Sequence, residues 1–338
     1  MISHAIKQLV AGHDLTPNDV EAAMNVILDG EASDAEIAAF VVALRMKGES
    51  VDEIATAARA LHKHCELIQP NVDGPLLDTC GTGGDGLHTF NISTAAAIVS
   101  AACGVAVAKH GNRAVSSKAG SADVLEALGV RIDLTPARVQ RCIEEVGIGF
   151  LFAQSHHAAM RHAARVRREL GIRTLFNLLG PLSNPASATH QVVGVYDSAR
   201  VEQMAQALAS LGLTAAWVVH GEGGLDEVSP SGRTTVAQLS EGTVSRFEVS
   251  PSDFGLPEVP IEALQGGDAR RNADIIGGVL RGDQGPARVA VLINTAAALC
   301  VAGLASDRRS AAKRAAEAID SGAAKETLGR WVQLTRAP

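Results

Sequence analysis

The segment Asp78-Thr79-Cys80-Gly81-Thr82-Gly83-Gly84-Asp85-Gly86, running on into Thr89-Phe90-Asn91-Ile92-Ser93-Thr94, sets glycines, hydroxyls and acids between an apolar run and an alanine-rich stretch. Pro75-Leu76-Leu77 reads as a buried strand, and Ser93 or Thr94 is expected to cap a helix continuing through Ala95-Ala96-Ala97-Ile98-Val99. The glycines therefore fall in a strand-to-helix loop. Glycines let backbone N–H groups approach an anion without side-chain obstruction, and the helix start adds unpaired donors and the positive end of its dipole. Asn91, Ser93 and Thr94 would add side-chain donors. The glycines alone also suit an ordinary turn before a capped helix; the polar residues around them favour a phosphate site. Asp85 stands apart, because a carboxylate beside phosphates repels them unless a cation or a ligand hydroxyl intervenes.

Two familiar phosphate motifs do not fit. Gly81, Gly83 and Gly86 satisfy G-x-G-x-x-G, but the dinucleotide fingerprint expects its helix within the motif and an acid about 20 residues on for the ribose. Here the helix starts late and that neighbourhood offers Lys109. Gly81 and Gly86 also begin G-x-x-x-x-G-K-[ST], but Leu87 stands at the lysine position.

Residues 1 to about 66 read as helices only. Thr16-Pro17, Ser33-x-x-Glu36 and Ser50-x-x-Glu53 are start signals, and Gly30 and Gly48 are stops. From about residue 74, β-type runs alternate with helical ones: Val105 to Ala108, Ile148 to Phe152, Val192 to Val195 and Ala216 to Val219. That alternation predicts an α/β domain with a largely parallel sheet beside a small all-helical unit. Pro286 marks a helix start, with an apolar helix from Val289 to Gly303, and residues 305–331 read as a final amphipathic helical stretch. Asn177 to Pro185, with Gly180-Pro181 and Asn184-Pro185, reads as a rigid turn.

A chain of 338 residues, 46% of them hydrophobic, can bury a large core. The formal net charge of -7 argues against generic binding to nucleic acid or anionic membranes. No stretch reads as a signal peptide or a membrane span. Cys65, Cys80, Cys103, Cys142 and Cys300 show no metal or redox spacing and suit a reducing cytoplasm. Cys80 lies in the loop as a candidate nucleophile, yet no histidine pairs with it in sequence; a small buried side chain explains it.

Lys109-His110-Gly111-Asn112-Arg113, continuing to Ser116-Ser117-Lys118-Ala119-Gly120-Ser121, follows the second strand and precedes a helix expected near Ala122. In a parallel sheet this loop emerges at the same carboxyl edge as the first, so both would face one ligand. Its three cations and three serines predict a polyanion site. Asp226-Glu227 follows another strand; the pair is open to two readings, a solvated turn or a Mg²⁺ site, since Mg²⁺ needs only one or two protein carboxylates. Between His156 and Arg173, helical spacing sets Arg161, Arg165 and Arg168 in one solvated stripe and turns Arg167 away from it, nearer Met160. Arg167 is thus the candidate for a ligand carboxylate.

With these clusters assembled, the chain resembles the anthranilate phosphoribosyltransferases of tryptophan biosynthesis. The carrying motifs are GTGGDGLHTFNIST (Gly81 to Thr94), KHGNRAVSSKAGSADVLEALG (Lys109 to Gly129), VRRELGIRTLFNLLGPLSNP (Val166 to Pro185) and LDEVS (Leu225 to Ser229). The resemblance implies a helical domain from residues 1–66 with a returning segment near 165–185. It implies an α/β domain from 74–164 and 186–338, and a homodimer joined through the helical parts. It further implies a cytoplasmic Mg²⁺-dependent enzyme joining anthranilate to phosphoribosyl pyrophosphate, with no nucleic-acid or membrane partner.

By position, Gly81, Gly84, Asp85, Thr89, Asn91, Ile92, Ser93, Thr94, Lys109, Ser117 and Ser121 resemble the phosphoribosyl pyrophosphate contacts. Gly81, His110, Asn112 and Arg167 resemble the anthranilate contacts, and Ser93, Asp226 and Glu227 the magnesium positions. No covalent nucleophile or essential base is implied. The chain departs from the family at Gln154-Ser155-His156-His157-Ala158, where many members carry Pro-Asn-His-His-Pro, and at Pro230, where an apolar residue is common. Two other readings are a pyrimidine nucleoside phosphorylase, from which the second loop differs, and a non-catalytic nucleic-acid-binding relative, which the acidic charge opposes.

Overall fold

The computed structural model describes residues 2–114 and 118–337. The first four helices are Ile2–Val10, Pro17–Leu28, Asp34–Lys47 and Val51–Lys63, and the last three begin where the start signals lie. Ser33 and Ser50 each close a reciprocal cap with the glutamate three residues on, and Thr16 accepts the Asp19 N–H. Gly48, at φ 91, ends the third helix. Helices Arg161–Leu170 and Leu175–Leu182 return to this unit, and Val166, Leu175 and Leu179 share its core with Met24, Phe40, Leu44 and Ile54. The turn expected from Asn177 is therefore mostly helix. Asn177 caps it by accepting the Thr174 N–H at 3.0 Å, and Pro181 is accommodated in the last turn.

Among the described residues seven strands form one sheet: β1 Leu76–Gly81, β2 Ala106–Gly111, β3 Ile148–Phe152, β4 His190–Gly194, β5 Ala215–Gly221, β6 Thr234–Ser240 and β7 Thr243–Val249. Their order is β3-β2-β1-β4-β5-β6-β7, parallel from β3 to β5 and antiparallel beyond. The expected parallel strands are all present. The β6–β7 hairpin was not foreseen; its signal is the two-residue turn Glu241-Gly242, at φ 50 and 76, between alternating runs.

Alternate residues of β5 serve opposite faces. Trp217 and Val219 join the core beneath helices Ile92–Ala102 and Pro286–Val301, while Ala216 and Val218 join the core continuous with the helical unit. A buried ion pair, Arg200 to Glu49 at 2.6 Å, ties the two parts across that face. The C-terminal helical stretch is made of two helices, Arg308–Asp320 and Ala323–Arg336. Gly322, at φ 83, breaks it.

The chain runs outward from β1 to β2 and β3, then returns to lay β4 on the other side of β1. The carboxyl ends of β1 and β4 therefore flank a topological switch point, where an open α/β sheet leaves a crevice for ligands.

Candidate active site

The glycine loop leaves the end of β1 at that crevice. Thr82 N donates to Gly194 O of β4 at 2.8 Å, and Gly83, Gly84 and Gly86 adopt φ near 70 to 78, which side-chain-bearing residues rarely hold. Asp226 packs into the same corner. Its Oδ2 accepts the Gly83 N–H at 2.8 Å, and a Cβ on Gly81 or Gly194 would run into it. Those two glycines are what let the Asp226-Glu227 turn enter the crevice.

Helix Ile92–Ala102 has Asn91 at its N-cap position, two residues before Ser93 and three before Thr94, and Asn91 makes no side-chain cap. Asn91 is committed elsewhere: its amide donates to Ala119 O at 3.3 Å and its oxygen accepts from Asn272 at 2.9 Å. The cap is supplied by Glu227, whose Oε1 accepts the Ser93 N–H at 3.0 Å. Ser93 and Glu227 thus meet, while Asp226, the preceding residue, is held to the glycine loop at Gly83. Ile92 turns its side chain into the core, so only its backbone faces the loop. Thr94 is also buried, its hydroxyl having no partner among the described residues. Thr89 bridges to Gln265, and Asp85 folds back on its own loop, accepting the Leu87 N–H at 3.0 Å.

Burial raises the Asp226 carboxyl to about 7, helped by the Asp85 charge and opposed by the Gly83 N–H. Burial and then the Asp226 charge raise Glu227 to about 8, against the pull of Lys109 and Ser93. Both residues remain partly open although their carboxyl groups face inward. Crowded, under-neutralised carboxylates of this kind suit a hard divalent cation. No three His, Cys, Asp or Glu side chains among the described residues form a closed cage, and Mg²⁺ requires none, since waters and phosphate oxygens complete its shell.

Lys109 does not project into solvent. It is 2% exposed, with Nζ donating to Thr79 O of β1 at 2.6 Å, so its charge lies beneath the glycine loop. Buried Asp78 is its counter-charge. Asp78 Oδ1 accepts the His110 N–H at 3.1 Å and Oδ2 accepts from Asn184 at 2.7 Å; burial nevertheless pushes its pKa up. The second loop is less cationic than expected. Arg113, though exposed, forks onto Asp123 and Glu126, and Lys118 is exposed beyond it. Ser121, at a helix start, approaches Asn112 O at 3.4 Å. Ser117 lies outside the described residues. Cys80 is buried with its thiol pKa pushed well up, a packing residue rather than a nucleophile.

His110 Nδ1 faces Gly180 O at 3.1 Å, and its Nε2 faces His157 Nε2 at 3.1 Å, while His157 Nδ1 faces Cys65 Sγ at 2.9 Å. One assignment fits the three imidazole contacts: His110 donates from Nδ1, His157 donates from Nε2 to His110 Nε2, and the Cys65 thiol, which also lies 3.2 Å from Leu61 O, gives its proton to His157 Nδ1. Both imidazoles are neutral, with burial first pulling His110 down to about 4 and His157 to about 2. Asn112 is exposed beside this pair, and Gln154, one of the departures from the family pattern, reaches its Oδ1 at 3.5 Å.

Arg167 sits as the helical spacing foretold, half-buried while Arg161, Arg165 and Arg168 are exposed. Burial lowers its pKa, its guanidinium lies 5.8 Å from the Phe176 ring centre, and it makes no hydrogen bond or ion pair to a described residue. Arg173 was not singled out from sequence. Its guanidinium stacks 3.5 Å from the Tyr196 ring centre, against Gly84.

A glycine loop at the switch point of an α/β sheet, faced by a helical unit carrying an unpaired arginine, fits a glycosyl-transferring class of enzyme. Family models agree: residues 73–325 match the glycosyl transferase family a/b domain, and residues 3–65 its helical bundle domain. A curated anthranilate phosphoribosyltransferase from Anaeromyxobacter dehalogenans is 54% identical over the whole of both chains. The crystal structure of the Thermus thermophilus enzyme superposes with a TM-score of 0.94 at 44% identity, covering 98% of this chain and 99% of that one. The Saccharomyces cerevisiae enzyme in complex with PRPP and Mg superposes at 0.90 and 30% identity, covering 99% and 97%; it has also been solved with 4-fluoroanthranilate. This chain belongs to the anthranilate phosphoribosyltransferase family.

Proposed function

We infer that this chain transfers the 5-phosphoribosyl group of phosphoribosyl pyrophosphate to the amine of anthranilate, giving N-(5-phosphoribosyl)anthranilate and pyrophosphate. The observation that carries this reading is the convergence at one crevice of the glycine loop, the Asp226-Glu227 turn and buried Lys109. The full-length kinship supports it.

As pyrophosphate departs from C1 of the ribose, negative charge grows on the leaving group and positive charge on the sugar. The loop N–H groups other than those of Thr82, Gly83 and Ser93, which Gly194, Asp226 and Glu227 already hold, together with the dipole of helix Ile92–Ala102 and the Lys109 charge below, are fixed before the reaction, so they stabilise the leaving group without reorganising. Ser93, Asp226 and Glu227 would hold Mg²⁺, which when bound supplies further charge neutralisation at the pyrophosphate. Gly81, Gly84, Asp85, Thr89, Asn91, the Ile92 backbone, Thr94, Ser117 and Ser121 complete the proposed donor substrate site.

Anthranilate enters from the helical side. Arg167, with its fork unpaired, holds the carboxylate, Asn112 and Gly81 flank the ring, and His110 lines the channel, so that the amine faces C1. An aryl amine is neutral at pH 7 and needs no deprotonation before attack. Both nitrogens of His110 face a polar partner, Gly180 O and His157 Nε2, so in the assignment above that residue has no free lone pair to act as a base.

Residues 1–66 with the return near 165–185 are proposed as one domain, and 74–164 with 186–338 as the other. A homodimer joined through the first of these is part of the proposal. No helix among the described residues is long and apolar enough to cross a membrane, and the reading needs neither membrane nor nucleic-acid partner in the cytoplasm. The test is product stoichiometry. One pyrophosphate released per N-(5-phosphoribosyl)anthranilate formed supports the reading, and pyrophosphate release indifferent to anthranilate refutes it.

A further inference from the structure

Arg173 lies in the connection between helices Arg161–Leu170 and Leu175–Leu182, both packed into the core of the helical unit. Gly171, at φ 60, ends the first helix and the Thr174–Asn177 cap opens the second, so the connection is held at both ends. It delivers a guanidinium across the crevice to the glycine loop. There Cζ stacks 3.5 Å from the Tyr196 ring centre, and Nη2 comes within 2.9 Å of where a Cβ on Gly84 would stand. Tyr196 is itself tied to that loop, its N–H donating to Thr82 Oγ1 at 3.4 Å.

The planar fork is therefore oriented by an aromatic face on one side and a bare glycine backbone on the other. Its donors are unspent: Arg173 makes no hydrogen bond or ion pair with any described residue, whereas Arg113, Arg200 and Arg288 are all matched to carboxylates. A half-buried guanidinium with idle donors beside a phosphate loop is complementary to a phosphate oxygen pair, which accepts two parallel N–H bonds.

We propose that Arg173 is a pyrophosphate-binding residue, lent to the glycine loop by the helical unit and held ready by the Tyr196 ring. This rests on the transferase reading and adds a contact to its donor substrate site. The leaving group is then gripped from both parts of the fold. Arg173 takes the pyrophosphate, at the glycine-loop end, while Arg167, beside Phe176 on the same return, is left for the anthranilate carboxylate.

The experiment measures KM for each substrate, and binding of inorganic pyrophosphate with Mg²⁺ by titration calorimetry. The variants are Arg173→Gln, Arg173→Lys and Tyr196→Leu, with Arg168→Gln in the exposed stripe as control. Losing a charge-assisted fork is expected to raise the phosphoribosyl pyrophosphate KM and the pyrophosphate Kd by about 10- to 100-fold in Arg173→Gln, with the anthranilate KM within about twofold. Arg173→Lys falls between, because it keeps the charge and loses the planar geometry. Tyr196→Leu weakens pyrophosphate binding by about 3- to 10-fold through loss of the stacking face. Unchanged pyrophosphate affinity in Arg173→Gln overturns the proposal. So does a parallel rise in both KM values with a lowered melting temperature, which marks a mere tie between the two parts. A wild-type chain that turns over nothing would instead sink the transferase reading itself.

Discussion

Glu227 Oε1 accepts the Ser93 backbone N–H at 3.0 Å, so the helix start behind the glycine loop is capped by an acid from the β5–β6 connection. A helix start normally attracts a ligand phosphate; here it also fixes the carboxylate proposed to meet the metal. The same contact thus joins the proposed phosphate and metal sides of the crevice.

Removing those acids separates stability from activity. Glu227→Gln keeps an oxygen for Ser93 while deleting a charge that burial and Asp226 oppose, so its melting temperature at pH 8 should equal or exceed that of the wild type. Its kcat/KM for phosphoribosyl pyrophosphate should fall by about 10²- to 10³-fold, the usual scale for a lost electrostatic stabiliser. The sign with pH follows from raised folded-state values of about 7 and 8. Their stabilisation is present below the unfolded carboxyl range and is lost as pH rises through 7 and 8. Thermal melts of both proteins from pH 5 to 9 should show a shallower decline for Glu227→Gln.

The histidines act in the opposite sense. With folded values pulled to about 4 in His110 and about 2 in His157, both stay neutral at working pH, and the unfolded chain takes up their protons first as pH falls below about 6.5. They therefore lower stability on the acid side. His110→Ala should leave the shape of the pH-rate profile between 6 and 8 unchanged; a steep limb that this substitution abolishes would make His110 a base after all.

Arg167→Gln should raise the anthranilate KM by about 10- to 100-fold, the scale for losing a charged hydrogen bond, and hold the phosphoribosyl pyrophosphate KM within twofold. Initial rates across both concentrations check this. The reverse pattern would move Arg167 to the phosphate side.

Two glycines should respond in opposite directions. A Cβ on Gly194 would fall on the backbone carbonyl of Asp226, whereas one on Gly329, inside helix Ala323–Arg336, meets open space. Gly194→Ala should cost about 3 kcal/mol or displace the Asp226-Glu227 turn and abolish activity. Gly329→Ala should stabilise by about 0.5–1 kcal/mol. Chemical denaturation measures both.

What the sequence made legible was local or periodic. The serine-glutamate caps, the loop between β1 and its helix, and the turning of Arg167 out of its stripe each depend on residues within a few positions of one another. What it hid depends on distant partners. Asn91 is claimed by Asn272, Glu227 caps a helix 134 positions away, and Lys109 folds beneath its own sheet to Thr79. Arg113 looked like a ligand cation until Asp123 and Glu126 closed on it. Arg173 gave no signal because its importance lies in Tyr196 and Gly84, which only the meeting of the two parts brings together.

The most direct test of the central claim uses the fluorescence of anthranilate. Purified chain incubated with Mg²⁺, phosphoribosyl pyrophosphate and anthranilate should extinguish the emission, and omission of any one component should leave it constant. Steady emission in the complete mixture, with substrates proven active on a control transferase, would contradict the account.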